Sequence, residues 1–336
     1  MNKKIIFVWD WDDTLTTETS LNPLWKDPRI FRNLKKKYSS FKLQKPEDVW
    51  KVIDYGRTDD NLEIGYLEFI RRNTEDGTIS RRIKENFGLP FARKLTNADL
   101  RHFGSKVPIA PGLPNFIINV TRYWQEKGVE IEHYIVSVGL KEIIKGSAIA
   151  KHFNGIFANE YTEYKGYIDG YRSIVDSYGG KTGALITIVK GGKDNFNKKM
   201  KYQEYMNSYE NMIIIDDGWS ARSMFQAAGK RGATCLVVYD PDSNESMAKA
   251  EQIVGRWADA ALPRDYRKGS AFTKKVHETI LRMLSKKRCT FKKMLLHMYV
   301  KGTLDDDPST KRYVKQHISR CKECGGIATK LESSYK

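Results

Sequence analysis

Three runs of apolar residues along the chain end abruptly at carboxylate or hydroxyl side chains. The run KIIFVW ends at Asp10, the run IEHYIVS ends at Ser137, and the run NMIIIDD ends at Asp216 and Asp217. Short apolar runs of this kind are typical of buried parallel strands, which deliver functional side chains at their carboxyl ends. The pattern therefore predicts three strands that carry candidate chemistry.

Segments between and after these runs have the periodicity of helices and further strands. Helices are predicted over 114–127, over 140–152 and from about Ser220, with short strands in 155–172 and a strand over 233–239. Alternation of this kind predicts the α/β class: a Rossmann-like parallel sheet with helices on both faces.

About a hundred residues between the first strand and Pro111 lack this alternation and contain helical patterns such as LEIGYLEFIRR. A loop of that length is uncommon in a compact domain, so an inserted, mainly helical subdomain is expected. The predicted division is a core of residues 1–22 and 108–265, an insertion of residues 23–107, and a basic helical domain of residues 266–336.

Composition excludes wholesale disorder and a membrane span. Hydrophobic residues make up 40% of the 336 residues and charged residues 29%, and no apolar run approaches the roughly 20 residues that a span needs. The first residues resemble the start of a signal peptide, but Asp10, Asp12 and Asp13 would interrupt its apolar core. A cytoplasmic protein without a membrane partner is the expectation.

The net charge of +17 is concentrated in the tail, where residues 264–336 contain nineteen Lys and Arg against seven Asp and Glu. Such a segment favours binding to a polyanion. A solvated helical face that keeps the protein soluble is an equally acceptable interpretation.

Asp10 and Asp12 are spaced so that two carboxylates follow one strand. Carboxylate oxygens suit Mg²⁺, which neutralises phosphate charge, and would leave Asp10 as a nucleophile and Asp12 as a general acid and base. The alternative is a helix cap or an Asx turn. The longer stretch DWDDTLT, with Thr14, resembles the first motif of the haloacid dehalogenase superfamily.

Later strand ends match the other motifs of that superfamily in order. The resemblance implies that Ser137 hydrogen-bonds the phosphoryl group, and that Lys181 or, alternatively, Lys190 balances its charge. It also implies that Asp217, with Asp216 beside it, completes a Mg²⁺ site with Asp10 and Asp12. A later acid of the fourth motif is absent, because Ala221 stands there, which leaves the metal site supported by Asp216 or weakened.

The resemblance covers about residues 4–265, and its insertion between the first and second motifs is similar to the cap of phosphoserine-phosphatase-like and nucleotidase-like members. Such a cap closes over the site and selects the substrate. One or two of five arginines are expected to contact an anionic substrate, the others being solvated: Arg57, Arg71, Arg72, Arg81 and Arg82.

Three of the four cysteines lie in the tail, whereas Cys235 lies in the apolar run ATCLVVY. The tail reads C-x27-H-x3-C-x2-C, which predicts a tetrahedral zinc site of Cys289, His317, Cys321 and Cys324, with three ligands converging along one helical face. His297 competes with Cys289 as the fourth ligand. Core thiols and a surface histidine are the alternative.

The same segment resembles the zinc-binding anti-sigma-factor domain, in which a Tyr-Leu-Asp-Gly-like turn, here Tyr299 to Gly302, separates the first cysteine from a later His-x3-Cys-x2-Cys. With all four zinc positions filled by protein, the ion is expected to be structural, and the Lys and Arg side chains of the tail would face an acidic protein partner or nucleic acid.

Together these patterns predict a Mg²⁺-dependent phosphomonoester hydrolase that forms an aspartyl-phosphate on a small phosphorylated metabolite or nucleotide. Two alternatives stay open. One is a polynucleotide end phosphatase that holds the strand with the basic tail. The other is a non-catalytic phosphate-sensing module whose output is the zinc-binding tail.

Overall fold

The computed structural model describes residues 3–55, 62–75, 80–82, 92–177, 179–200, 205–285, 293–304, 306–319 and 321–334. In these ranges the strands are β1 Lys3–Trp9, β2 Ser80–Arg82, β3 Ala92–Lys94, β4 Val129–Leu140, β5 Gly155–Tyr164, β6 Tyr167–Ser173, β7 Met212–Asp216, β8 Thr234–Tyr239 and β9 Ala260–Pro263.

The α-helices of these ranges, in chain order, are α1 Asn22–Trp25, α2 Pro28–Lys37, α3 Val49–Tyr55, α4 Leu62–Glu75, α5 Asn97–Gly104, α6 Asn115–Gln125, α7 Lys141–Gly146, α8 Gly180–Val189, α9 Arg222–Gly229, α10 Asn244–Ile253, α11 Ala271–Leu284, α12 Lys293–Val300, α13 Pro308–Ile318 and α14 Lys322–Ser334.

Seven strands form one sheet in the order β6-β5-β4-β1-β7-β8-β9, while β2 and β3 form a separate antiparallel pair. The pairs β4–β5, β7–β8 and β8–β9 are parallel, and β5–β6 is antiparallel. A mostly parallel sheet whose strands alternate with helices confirms the predicted α/β class. The strands before Asp10 and at Asp216 end as predicted, whereas β4 continues to Leu140, so the predicted strand end at Ser137 was three residues too early.

The chain folds as two compact units, each built from separate stretches of sequence. Unit 1 comprises Met1–Val8, Asn115–Glu132 and Leu185–Lys336, and unit 2 comprises Trp9–Pro114 and His133–Ala184. These boundaries differ from the division into core, insertion and tail given by the sequence, and that division stays a prediction.

An aromatic cluster packs part of unit 1. The ring of Phe116 on α6 lies 6.5 Å from the ring of Phe7 on β1 and 5.4 Å from the ring of Phe272 on α11. Tyr266 packs edge-on against Phe272 at 4.7 Å. Because Phe7, Phe116, Phe272 and Tyr266 are almost fully buried, they join α11 to the β/α core of this unit.

The helix α4, predicted from LEIGYLEFIRR, is held to the β5–β6 hairpin of unit 2 by two tyrosines. The Tyr161 hydroxyl donates to the Leu67 carbonyl at 2.8 Å, and the Tyr171 hydroxyl donates to Glu68 Oε2 at 2.6 Å. The hydrogen bond from Arg71 holds the pKa of the Glu68 carboxyl at about 2, so the carboxylate accepts from Tyr171 over a wide pH range.

Helices α5 and α7 of unit 2 cross at two glycines, Gly104 and Gly146. A Cβ on Gly104 would lie 2.0 Å from the Ile143 carbonyl oxygen, and a Cβ on Gly146 would lie 2.0 Å from the Arg101 carbonyl oxygen. The two backbones therefore approach as closely as glycine permits. The helix predicted over 140–152 ends at Gly146 at this crossing, and a short 3₁₀ turn follows later, so the prediction was too long.

None of the helices in the described part of the chain is long and apolar enough to cross a membrane.

His133 offers a test of burial in unit 2. Trp9 Nε1 donates to His133 Nδ1 at 3.2 Å, and burial, aided by His152, lowers the pKa of the His133 imidazole to about 3. An unfolded histidine titrates near pH 6.5, so the unfolded state binds more protons between about pH 6.5 and 3. As the pH is lowered from about 6.5 to 3, the free energy of unfolding of the wild type should therefore fall relative to that of His133→Asn, by up to about 1.4 kcal/mol per pH unit.

Urea unfolding of the two proteins across this pH range checks the expectation, with the exposed His102→Asn as control. Parallel stability curves for the wild type and His133→Asn would contradict it.

Candidate active site

The loop that follows β1 wraps around one carbonyl group. The Trp11 carbonyl accepts from the backbone N–H groups of Thr14, Leu15 and Thr16 at 3.3, 2.9 and 3.2 Å. The Trp11 ring is fully buried, as is the Thr14 side chain. Asp13 turns the chain with a φ of 55°, a conformation that aspartate tolerates better than most residues. The turn is closed by a backbone carbonyl, whereas the side chains of Asp10 and Asp12 accept from Lys181 Nζ and the Ser20 N–H.

Asp10 forms a buried ion pair. Lys181 Nζ lies 2.8 Å from Asp10 Oδ1, and the two side chains expose 0% and 5% of their surface. Asp176 positions the lysine, because its Oδ1 accepts from the N–H groups of Gly179 and Gly180, at 2.7 and 3.0 Å, where α8 begins. Two residues 171 positions apart are thereby brought into contact at the end of β1.

Asp12 is half-buried in the same loop. Its Oδ1 accepts from the Ser20 backbone N–H at 2.6 Å. Burial raises the pKa of the Asp12 carboxyl to about 6, although Ser20 and, more weakly, Lys181 favour its charged form. Asp13 adds to the rise through its negative charge. A carboxyl group in this range can both give up and take on a proton near neutral pH.

Ser137 and Asp12 meet at Gly139. The Gly139 N–H donates to Ser137 Oγ at 2.9 Å, and a Cβ on Gly139 would lie 3.2 Å from both Ser137 Oγ and Asp12 Oδ2. The Ser137 side chain is fully buried on β4. Within unit 2 the structure therefore groups Asp10, Asp12, Ser137 and Lys181, with Thr14 in the same loop.

Lys190, the alternative to Lys181, has a different environment. Its Nζ donates to the carbonyl groups of Phe196 and Lys198 at 2.6 and 2.8 Å. Lys181 is thus the lysine of this segment that pairs with Asp10 in the structure.

The carboxylates of the predicted fourth motif end β7 in unit 1, and β7 is the neighbour of β1 in the sheet. Asp216 is buried, and its Oδ1 accepts from the Gly218 N–H at 3.0 Å and from the Ser220 hydroxyl at 3.4 Å. Asp217 is half-buried, with Lys249 Nζ 3.6 Å from its Oδ2. Ala221, in place of the usual acid, is buried in the turn before α9.

In the described part of the chain, the arginines of the predicted insertion do not come together to form an anion-binding site. Arg71 and the exposed Arg72 both pair with Glu68, at 2.9 and 2.5 Å. Arg57 and the side chains of Arg81 and Arg82 lie outside the described residues.

His317, Cys321 and Cys324 form a second cluster, in unit 1. One ligand atom from each lies within 4.8 Å of the others. Their placement on one helix was wrong: α13 ends at Ile318 and α14 begins at Lys322. The cluster therefore spans the junction of two helices, where the Cys321 N–H still donates to the His317 carbonyl at 2.9 Å.

Apolar side chains surround this cluster. Cys324 belongs to a buried core with Leu295, Leu296, Leu304 and Val314, against which Cys321 also packs. Burial lowers the pKa of the His317 imidazole, which favours the neutral form that binds metals, while Glu210 opposes this shift. His297 is exposed on α12, and Cys289 lies outside the described residues.

Ser20 and Asp176 were missed by the sequence analysis. Asp176 lies four residues before α8 and not at the position directly before the helix, where a capping aspartate is expected. Ser20 carried no signal, since it lies eight residues from Asp12 in a polar stretch whose folding is set by tertiary contacts.

Comparison with known proteins gives distant similarities. No family model matches the chain. An uncharacterized protein of Borreliella burgdorferi (strain ATCC 35210 / DSM 4680 / CIP 102532 / B31) is 24% identical over 213 residues, which cover 56% of this chain and 73% of that protein. The identity is too low to assign a family.

Solved structures that the comparison finds similar to this chain include a hydrolase, a nucleotidase and a phosphatase. A HAD family hydrolase from Salmonella enterica subsp. enterica serovar Typhi has a TM-score of 0.43 at 14% identity, covering 84% of this chain and 72% of that one. Cytosolic 5'-nucleotidase IIIB bound to cytidine gives 0.44 at 15%, covering 85% and 86%. A phospho-aspartyl intermediate analogue of phosphoserine phosphatase gives 0.42 at 14%, covering 82% and 99%. At these TM-scores the likeness carries no conclusion about function.

Replacing one partner of the buried ion pair should be costly. Lys181→Met leaves Asp10 buried without its cation, so the free energy of unfolding should fall by about 3–5 kcal/mol. Lys26→Met is the matched control: it breaks an exposed pair with Glu18 at the same 2.8 Å, which should cost no more than about 1 kcal/mol.

The double variant Asp10→Asn/Lys181→Met removes both charges and should be more stable than Lys181→Met alone. Urea unfolding of the four proteins measures these differences. Equal small losses for Lys181→Met and Lys26→Met would contradict the importance of the buried pair.

Proposed function

We propose that this chain is a Mg²⁺-dependent phosphomonoester hydrolase of the haloacid dehalogenase type. The observation that carries the proposal is the buried pair of Asp10 and Lys181, which lies beside a carboxyl group, Asp12, whose pKa is raised to about 6. A nucleophile held by a fixed cation next to a proton donor is the arrangement that phosphoryl transfer through a carboxylate needs.

The donor set fits Mg²⁺. Asp10, Asp12, Asp216 and Asp217 offer carboxylate oxygens, the hard ligands that this ion prefers. These four residues would hold the ion. It would supply positive charge against the phosphoryl oxygens. The fourth motif usually has an acidic residue where this chain has Ala221. Asp216, which is buried and hydrogen-bonded at the end of β7, would supply the missing carboxylate.

The chain's own residues account for two displacements at phosphorus. An Asp10 oxygen attacks phosphorus, the bond to the ester oxygen breaks, and Asp12 gives its proton to the departing alkoxide. Asp12 then takes a proton from the water that attacks the aspartyl-phosphate, which releases phosphate and restores the Asp10 carboxylate. Lys181 holds Asp10 in place throughout, and the hydroxyl groups of Ser137 and Thr14 hydrogen-bond the phosphoryl oxygens.

A small phosphorylated metabolite or nucleotide is the substrate class that we propose. The insertion would select it, and α4 is the insertion helix that hydrogen bonds from Tyr161 and Tyr171 hold to the β5–β6 hairpin.

Phosphate release tests this proposal. The full chain is incubated with Mg²⁺ or EDTA and a panel of sugar phosphates, phosphoamino acids, nucleoside monophosphates and a 5′-phosphorylated oligonucleotide. Turnover is expected with Mg²⁺, and Asp10→Asn should lose at least about 10³-fold in kcat because it cannot form the covalent intermediate.

Lys26→Met serves as an active control, because its exposed pair with Glu18 lies outside the proposed catalytic residues. A preference for the oligonucleotide would favour end processing over metabolite hydrolysis. A folded wild-type protein that releases no phosphate from any member would overturn the enzymatic proposal.

We also propose that His317, Cys321 and Cys324 bind a structural Zn²⁺ ion, with a fourth ligand from Cys289 or His297. Convergence of these three ligand atoms within 4.8 Å in a largely apolar environment supports the proposal. Bound zinc would fix the junction of α13 and α14, and the basic charge of the tail favours an acidic protein or nucleic acid as partner. Thiolate sites of this kind persist in the cytoplasm, the compartment that we propose.

Metal analysis of the purified protein should find about one zinc per chain, in addition to any bound magnesium. Cys324→Ser should remove this zinc and lower the thermal midpoint, since ligand loss removes binding free energy that stabilises the fold. Cys235→Ser, on β8, is the matched thiol control and should retain the zinc. Full zinc content in Cys324→Ser would rule out this ligand set.

A further inference from the structure

In the tail cluster of His317, Cys321 and Cys324, the histidine has a carboxylate beside it. His317 Nδ1 is 3.9 Å from Glu210 Oε1, and 85% of the histidine side chain is shielded from solvent. Glu210 belongs to the short turn Tyr209–Asn211, which leads directly into β7. All of these residues belong to unit 1.

Glu210 is held in place by a residue of the same helix as His317. The Tyr313 hydroxyl lies 3.1 Å from Glu210 Oε1 and 2.8 Å from the Arg231 carbonyl oxygen. A Cβ on Gly232 would lie 2.9 Å from Glu210 Cγ, so the carboxylate stem also packs closely against the backbone. These contacts place Oε1 on the Nδ1 side of the imidazole.

Glu210 is not part of the converging ligand group, which among the described residues consists of His317, Cys321 and Cys324. Its position is that of an outer partner. A histidine that binds a metal through one ring nitrogen almost always donates the other N–H to a carboxylate, a carbonyl or water, which fixes the tautomer and the ring orientation. A separation of 3.9 Å is too long for a direct hydrogen bond, but one bridging water or a small rotation of Glu210 closes it.

We propose that Glu210 is the positioning residue of the tail metal site: it accepts from His317 Nδ1, directly or through water, so that His317 binds the metal through Nε2. This inference rests on the zinc site proposed above. It goes beyond that site because Glu210 lies immediately before β7, the strand that ends at Asp216. The tail metal thereby has a defined connection to the strand that carries the fourth-motif carboxylates.

Zinc affinity tests the role of Glu210. The full chain is titrated with Zn²⁺ in competition with a chromophoric chelator, beside Glu210→Ala and Glu210→Gln. Loss of the carboxylate that orients His317 should weaken zinc binding about 10- to 100-fold in Glu210→Ala. Glu210→Gln retains an amide oxygen that can accept the hydrogen bond, so its loss should be smaller. Glu278→Ala removes an exposed carboxylate of α11 that does not belong to the converging ligand group, and should bind zinc like the wild type.

The outcomes separate this inference from the zinc site itself. If the wild type binds no zinc in the tail, both the zinc site and the role of Glu210 are contradicted. Zinc binding by the wild type with unchanged affinity in Glu210→Ala leaves the site intact and overturns the role of Glu210.

A second measurement needs no variant. In the ¹⁵N-histidine spectrum of the zinc-loaded wild type, His317 should carry its proton on Nδ1, with Nε2 shifted by the metal. The opposite tautomer would overturn the inference even if the variants failed to fold.

Discussion

The ion pair between Asp10 and Lys181 is the constraint on which the candidate site depends. Each charge would be severely destabilising alone in so buried a position, so neither side chain can be placed without the other. The pairing requires β1 to end where α8 begins. It also requires the helix start to be fixed, which Asp176 achieves through two backbone N–H groups. The placement of Asp10 and Lys181 within unit 2 therefore depends on one electrostatic requirement.

Around that pair, polar atoms are arranged by backbone geometry more than by side-chain packing. The Ser20 N–H holds Asp12, and the Gly139 N–H holds Ser137. The absence of a side chain at Gly139 lets the carboxylate and the hydroxyl approach the same backbone position. Main-chain donors lose no side-chain entropy, so they hold such groups at little additional cost.

Much of the α/β core was predictable because strand ends carry a strong local signal. The apolar runs before Asp10, Ser137 and Asp216 each correspond to a strand of the sheet. The end of α7 at Gly146 was not predictable, because it depends on the approach of Arg101, 45 positions earlier in the chain. The junction between α13 and α14 was missed for a related reason. His317 and Cys321 have the four-residue spacing of one helical face, but α13 ends at Ile318 and α14 begins at Lys322.

The crossing of α5 and α7 has a consequence for how relatives of this protein should be compared. Gly104 and Gly146 each face a backbone carbonyl at a distance that excludes even a methyl group. Selection on shape alone would keep both glycines invariant in any homologue that preserves the crossing, whatever it hydrolyses or binds. Invariance at these two positions in a future alignment would thus report shared architecture, and only the residues around Asp10 would report shared chemistry.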